Sequence, residues 1–223
     1  MRYANGEIGI DMELKKDYPS FIIVENPIIK RTLVEDIWKQ TKGLEGSSII
    51  SEKGRELLFT KHIELVLNPL NIDFNSRKIK TKLLQESKEI LMEFEQHLFI
   101  SVKTKTMELF EKIIEKMPYP LEYKTQIDPE DYLKIGDIHI VPEETDFLER
   151  LISYMKIMQQ ACNVKVFILV DLYDYLERSE LMEIIKSSIY CDITLLFIES
   201  KECGNLEKKY TTIIDSDCCV IQY

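Results

Sequence analysis

Three groups of residues in this 223-residue chain have types and spacing that could do chemistry. The first is Val166-Phe167-Ile168-Leu169-Val170-Asp171, an apolar run that ends in a carboxylate. Nucleotide hydrolases place an aspartate this way to reach a magnesium ion. They also need a glycine-rich turn of the form G-x-x-x-x-G-K-[ST] after the first strand, whose backbone N–H groups wrap the phosphates. The matching stretch, Val24 to Arg31, has no glycine and puts Glu25 where a phosphate would be repelled. Gly43-Leu44-Glu45-Gly46-Ser47-Ser48 is too short and has no lysine. Nucleotide hydrolysis is therefore disfavoured, and Asp171 reads as the polar end of a strand. The second group is acidic: Asp128, Glu130 and Asp131, with Glu122 before them and Asp137 after. Several carboxylates together can hold a hard cation such as calcium. No EF-hand spacing is present, and on residue type alone a helix start capped by Asp128, with Pro129 at its first position, is the stronger reading. The third group is basic: Arg77, Lys78, Lys80 and Lys82, then Lys103 and Lys105, then Lys112 and Lys116. Such a run could contact phosphates, although a solvated helix face is the simpler reading. His62, His97 and His139 show no metal-ligand spacing, and no G-x-S-x-G elbow exists for a nucleophile.

The totals set limits on these readings. Hydrophobic residues make up 45% and charged residues 30% of the chain, so it can bury a core without disulfides or metal. The five cysteines, Cys162, Cys191, Cys203, Cys218 and Cys219, form no C-x-x-C pair, which argues against a zinc site or disulfide framework. No apolar stretch reaches membrane-spanning length, and Met1 to Asp11 lacks the apolar segment of a signal peptide, so a cytoplasmic location is expected. The net charge of −10 opposes nucleic-acid binding if taken alone. Its distribution is uneven, however. Ser76 to Met117 holds nine Lys/Arg and seven Asp/Glu, which leaves 20 basic and 32 acidic residues elsewhere.

These groups must be positioned by a mixed fold. Phe21 to Val24 reads as a buried strand stopped at Glu25-Asn26-Pro27, and Ile29 to Gln40 as a helix with Leu33, Val34, Ile37 and Trp38 inward. Ser47 to Leu58 has strand character around Ser48 to Ile50 and Glu56 to Phe59, with a hairpin suggested at Lys53-Gly54, and Ile63 to Leu67 is another apolar run, closed by Asn68-Pro69. From Ser76 an apolar stripe through Ile79, Leu83, Leu84, Ile90, Leu91, Phe94 and Leu98 predicts a helix. It is interrupted over Ile100 to Thr106 and resumes until Pro118, so an antiparallel helix pair is expected. Strands follow at Leu121 to Thr125 and Asp137 to Val141, and a helix at Glu144 to Ala161. Then come a strand at Lys165 to Val170, a helix at Ser179 to Ser187 capped by Ser179, and strands at Ile193 to Ile198, Tyr210 to Ile214 and Cys218 to Ile221. Fully apolar strands alternating with helices predict an α/β protein whose parallel sheet is covered on both faces. Residues 1–75 and 118–223 form the expected α/β domain, and 76–117 a helical insertion.

Several segments, taken in order, resemble the ring-forming CRISPR-associated adaptation proteins of type II-A systems. Phe21 to Pro27 is similar to that family's opening strand and acidic turn. Leu67 to Ser76 resembles its entry into the helical insertion, and Ile127 to Leu133 its acidic return segment. Leu176 to Leu181 with Leu195 to Glu199 resembles its helix-to-strand unit, and Ile214 to Asp217 its last strand. The resemblance implies a P-loop-NTPase-like sheet that has lost its phosphate loop, with a helical leg and no catalytic centre. It implies a homotetrameric ring, braced by calcium, whose positive channel encircles the end of linear double-stranded DNA. It further implies a role in spacer acquisition beside the integrase and effector nuclease of the same system, with no nucleotide and no membrane. Matched by position, Asp128, Glu130 and Asp131 are the expected calcium ligands, with Glu122 as a fourth. Lys78, Lys80, Lys82, Lys103 and Lys105 are the expected DNA contacts. A structural adaptor and a diverged nucleotide-binding enzyme are the alternatives.

Overall fold

In the computed structural model, residues 1–143, 146–202 and 209–222 are described. In chain order the elements are β1 (Arg2–Asn5), β2 (Ile10–Glu13), β3 (Ser20–Val24), α1 (Pro27–Thr41), β4 (Ser48–Glu52), β5 (Arg55–Glu56), α2 (Phe59–His62) and β6 (Ile63–Val66). They continue with α3 (Arg77–Phe94), α4 (Gln96–Ile114), α5 (Pro129–Ile135), α6 (Phe147–Cys162), β7 (Val166–Val170), a 3-10 turn (Leu172–Tyr175), α7 (Arg178–Tyr190), β8 (Thr194–Glu199), β9 (Tyr210–Ile214) and β10 (Val220–Gln222). The chain divides into two compact units, Met1–Asp73 with Pro142–Tyr223, and Phe74–Val141.

The first unit is built on a six-stranded sheet in the order β10-β9-β3-β8-β7-β6. Its strands are parallel except β10, which pairs antiparallel with β9. Every residue of β3, β7 and β8 is buried, because a parallel sheet needs cover on both faces. On one face Ile22, Val24, Ile168, Leu196 and Ile198 join Leu33 and Ile37 of α1. The same cluster takes in Tyr3, Ile10, Met12 and Ile50 from a second sheet, ordered β2-β1-β4-β5. On the other face Phe21 and Phe197 stack with centroids 4.8 Å apart, and Tyr154 of α6 meets Phe167 edge-on. The β4–β5 hairpin turns at Lys53 and Gly54, both with positive φ, the geometry a two-residue hairpin loop requires.

The N-terminal sheet was not expected, since β1 and β2 are short and lie in a polar stretch. The strand β1 pairs with β2 on one side and β4 on the other, and the buried Tyr3 hydroxyl lies 2.8 Å from Ser48 Oγ. Trp38, expected to face inward, is 43% exposed. The cap of α7 is Glu177, one residue before the helix and two before Ser179, and Glu180 Oε2 accepts from its N–H at 2.7 Å. The start expected for α6 at Glu144 lies outside the described residues, as does Cys203. The α6 helix is capped by Asp146, whose carboxylate accepts from the N–H groups of Leu148 and Glu149.

The second unit differs from the helix pair that the periodicity suggests. The two long helices meet at Glu95 alone, and Ile100 to Thr106 lies inside α4. The β-branched residues there leave the helix intact, and Thr104 and Thr106 bond back to the carbonyls of Ile100 and Val102. Leu121 to Thr125 and Asp137 to Val141 are not strands. Instead the Asn75 amide both donates to Ile140 O and accepts from Ile140 N, each at 2.9 Å. One side chain thus supplies the pairing that a neighbouring strand would give. Tyr123 packs edge-on against Phe110, and Tyr132 against Phe99. These contacts place residues 118–141 with the long helices and not in the α/β part where the sequence pattern puts them.

Candidate functional site

The first turn of α3 is fixed by Ser76, whose hydroxyl accepts from Ile79 N. Of the expected DNA contacts, Lys78 and Lys82 stand one turn apart on a shared side of α3. Lys82 reaches Gln85 Oε1 at 3.2 Å. Lys80 points away from that pair and lies 3.6 Å from Asp137. Lys103 and Lys105 are on α4, two residues apart and so on different sides, and Lys105 pairs with Glu108 at 2.8 Å. Lys78 thus shares a side of α3 with Lys82 and not with Lys80, and Lys103 and Lys105 lie on different sides of α4. All five lie within the Phe74–Val141 unit.

The acidic segment is engaged locally. Asp128 caps α5, and Asp131 Oδ2 accepts from the Asp128 N–H at 3.3 Å. Lys88 lies 2.9 Å from Glu130, and the pairing lowers the Glu130 pKa and raises that of Lys88. Lys134 is 3.9 Å from Glu130, and Lys124 is 3.5 Å from Asp131. Glu122 is exposed. A calcium ion needs converging carboxylate and carbonyl oxygens, and here Glu130 and Asp131 face lysine ammonium groups, with Asp131 also taking the Asp128 N–H. Among the described residues no group of three or more His, Cys, Asp or Glu side chains could hold a metal. The segment within one chain therefore does not fit the calcium ion implied by the resemblance.

A third cluster sits at the carboxyl ends of the central parallel strands, where α/β sheets commonly bind ligands. In place of a glycine-rich loop, β3 runs through Glu25 and Asn26 straight into α1, with Asn26 Oδ1 accepting from Ile28 N at 2.9 Å. Lys30 on α1 pairs with Asp171 after β7 and donates to Ser200 Oγ after β8 at 2.6 Å. Glu199, the last residue of β8, is 2% exposed and accepts from Tyr173 N at 3.1 Å. Burial, aided by the charge on Asp171, pushes its pKa up to about 7. Asp171 stands out in the sequence, but its partners Lys30, Ser200 and Glu199 do not. The signal available was two adjacent apolar strands each ending in a carboxylate, with a lysine early in the helix that follows the first strand.

The profile of a CRISPR-associated protein family, Cas_Csn2, matches residues 40–218. The chain belongs to that family. The family assignment gives the protein a role in CRISPR adaptation of the type II-A kind. The Cas_Csn2 match spans both units, since it runs from the end of α1 to the β9–β10 turn. No curated protein matches. Among solved structures, a protein described as an ABC transporter ATP-binding protein from Pyrococcus furiosus has 13% identity over 91% of this chain and 88% of its own, with a TM-score of 0.38. That likeness is too distant to bear on function. No helix among the described residues is long and apolar enough to cross a membrane.

Proposed function

We propose that this Cas_Csn2 chain is a non-catalytic protein that binds the ends of double-stranded DNA during spacer acquisition, through lysines of the Phe74–Val141 unit. The family match over residues 40–218 carries this reading. Binding is to the backbone: lysines grip phosphates as point charges and read no base. Lys78 and Lys82 supply the first contacts, with Lys80, Lys103 and Lys105 completing a path when several copies assemble.

The same unit is the proposed contact of a homotetrameric ring. The 19-residue α4 buries none of its residues and exposes Leu98, Val102, Leu109 and Ile113 along one stripe. Contiguous exposed apolar surface of this kind marks a protein contact, and a second copy of the chain is the occupant proposed here. The ring stands beside the integrase and effector nuclease of the same system. Its sheet is read as P-loop-NTPase-like without a phosphate loop, and Lys30 pairs with Asp171, the carboxylate that a nucleotide hydrolase would turn to magnesium. No step of this reading passes through calcium.

The test is a gel-shift titration of the purified chain against one DNA in linear and closed-circular forms, with calcium and with chelator. Binding to the linear form alone supports a ring threaded onto ends. Equal binding to both forms points to an open groove, and binding to neither leaves the adaptor reading. Loss of linear-DNA binding on chelation would point to calcium held between chains, since no group of carboxylates among the described residues of one chain fits it.

A further inference from the structure

The cluster at the sheet's carboxyl edge has no part in the proposed DNA contacts, and its charges do not balance. Lys30 in the first turn of α1 supplies an ammonium group, and Asp171 and Glu199 supply carboxyl groups at the ends of β7 and β8. The remaining charged neighbour, Asp174, is met by Lys201 at 2.7 Å. With every group ionised the cluster carries one negative charge too many. Its most buried member is Glu199, whereas Asp171 is 45% exposed and can keep its charge in water. The Lys30 side chain is only 13% exposed, so it cannot turn to solvent without leaving its partners. Asp171 also has φ 52, a left-handed conformation that a residue bearing a Cβ holds only where its surroundings impose it.

We propose that Lys30, Asp171 and Glu199 form a proton-operated latch tying α1 to the turn after β7. In the closed state Glu199 keeps its proton, and Lys30 sits on Asp171 and Ser200. In the open state the proton leaves to solvent. The new Glu199 carboxylate then competes for Lys30 and repels Asp171 and Asp174, which lie on either side of its hydrogen-bond partner Tyr173. Asp171 loses its ammonium partner, and the turn it anchors relaxes. The elevated pKa of Glu199 sets the change near neutral pH.

The test is carbon-detected NMR of the full chain, with labelled glutamate, lysine and tyrosine, titrated from about pH 5 to about pH 9. The expected result is a Glu199 carboxyl midpoint close to neutrality, with the Lys30 ammonium and Tyr173 amide signals shifting at the same midpoint. In Glu199→Gln those two signals stay flat. In Lys30→Met the Glu199 midpoint moves upward, because the attracting charge is gone. A Glu199 midpoint below about pH 5, or Lys30 and Tyr173 signals that stay fixed while Glu199 titrates, would overturn the proposal. The unmutated chain alone decides it should a variant fail to fold.

Discussion

The two units solve the burial problem in opposite ways. In the first, three adjacent strands bury every residue, and Phe21, Phe167 and Phe197 have almost no exposed surface. In the second, α3 buries only Ile79 and α4 buries nothing, although both helices are long. Single-chain stability should therefore reside in the sheet, and the leg should depend on partners. The contrast is also electrostatic. The sheet's carboxyl edge confines its charges in a half-buried cluster, whereas the leg spreads its ion pairs over exposed surface, where each contributes little.

The largest effect that separates the two units is truncation in the core. Phe197→Ala removes one ring of a stacked pair and should cost about 3–5 kcal/mol in denaturant unfolding. Leu109→Ala on α4 should cost less than about 0.5 kcal/mol in the same assay, yet weaken self-association in sedimentation. Equal losses would break the contrast. Next comes Gly46→Ala, where a Cβ would collide with Asp36 Oδ1. Asp36 accepts from Ser47 N at 2.7 Å and Ser48 N at 2.9 Å, which starts β4. Displacing that carboxylate should cost about 1–3 kcal/mol, measured the same way.

These effects also mark what the sequence could and could not reveal. Apolar runs such as Phe21 to Val24 and Val166 to Val170 announce buried strands because every position in them is apolar. The strands β1 and β2 have no such run, and they exist because β4 and a buried Tyr3–Ser48 contact complete them. Asp137 to Val141 has strand composition but no strand beside it, so Asn75 takes its hydrogen bonds. The acidic segment was visible as a cluster, but Lys88, 42 residues before Glu130, could not be seen to neutralise it. Lys30 and Asp171 are 141 residues apart, and only the parallel sheet brings them together.

The pH dependence sharpens the electrostatic half of the contrast. Glu199 has a folded pKa of about 7 against an ordinary value of 4.5, so between these values the folded chain keeps a proton that the unfolded chain has lost. Its stabilising contribution is full below about pH 4.5 and is lost as the pH rises through about 7. The unfolding temperature of the chain should fall by a few degrees over that range relative to Glu199→Gln. Parallel pH profiles for the two would remove Glu199 as the cause. The smallest effect is expected from Glu130→Gln, which breaks the exposed pair with Lys88 and should leave the unfolding midpoint nearly unchanged.

The account's central claim is that the leg's lysines hold DNA by its phosphates. The most direct measurement is the affinity of the full chain for a linear duplex as a function of salt, compared with Lys78→Glu and Lys82→Glu. The account predicts that log affinity falls linearly with log salt, and that each reversal weakens binding to unrelated sequences alike and lowers the slope by about 1. A salt-independent affinity, or a slope and affinity unchanged in both variants, would contradict it.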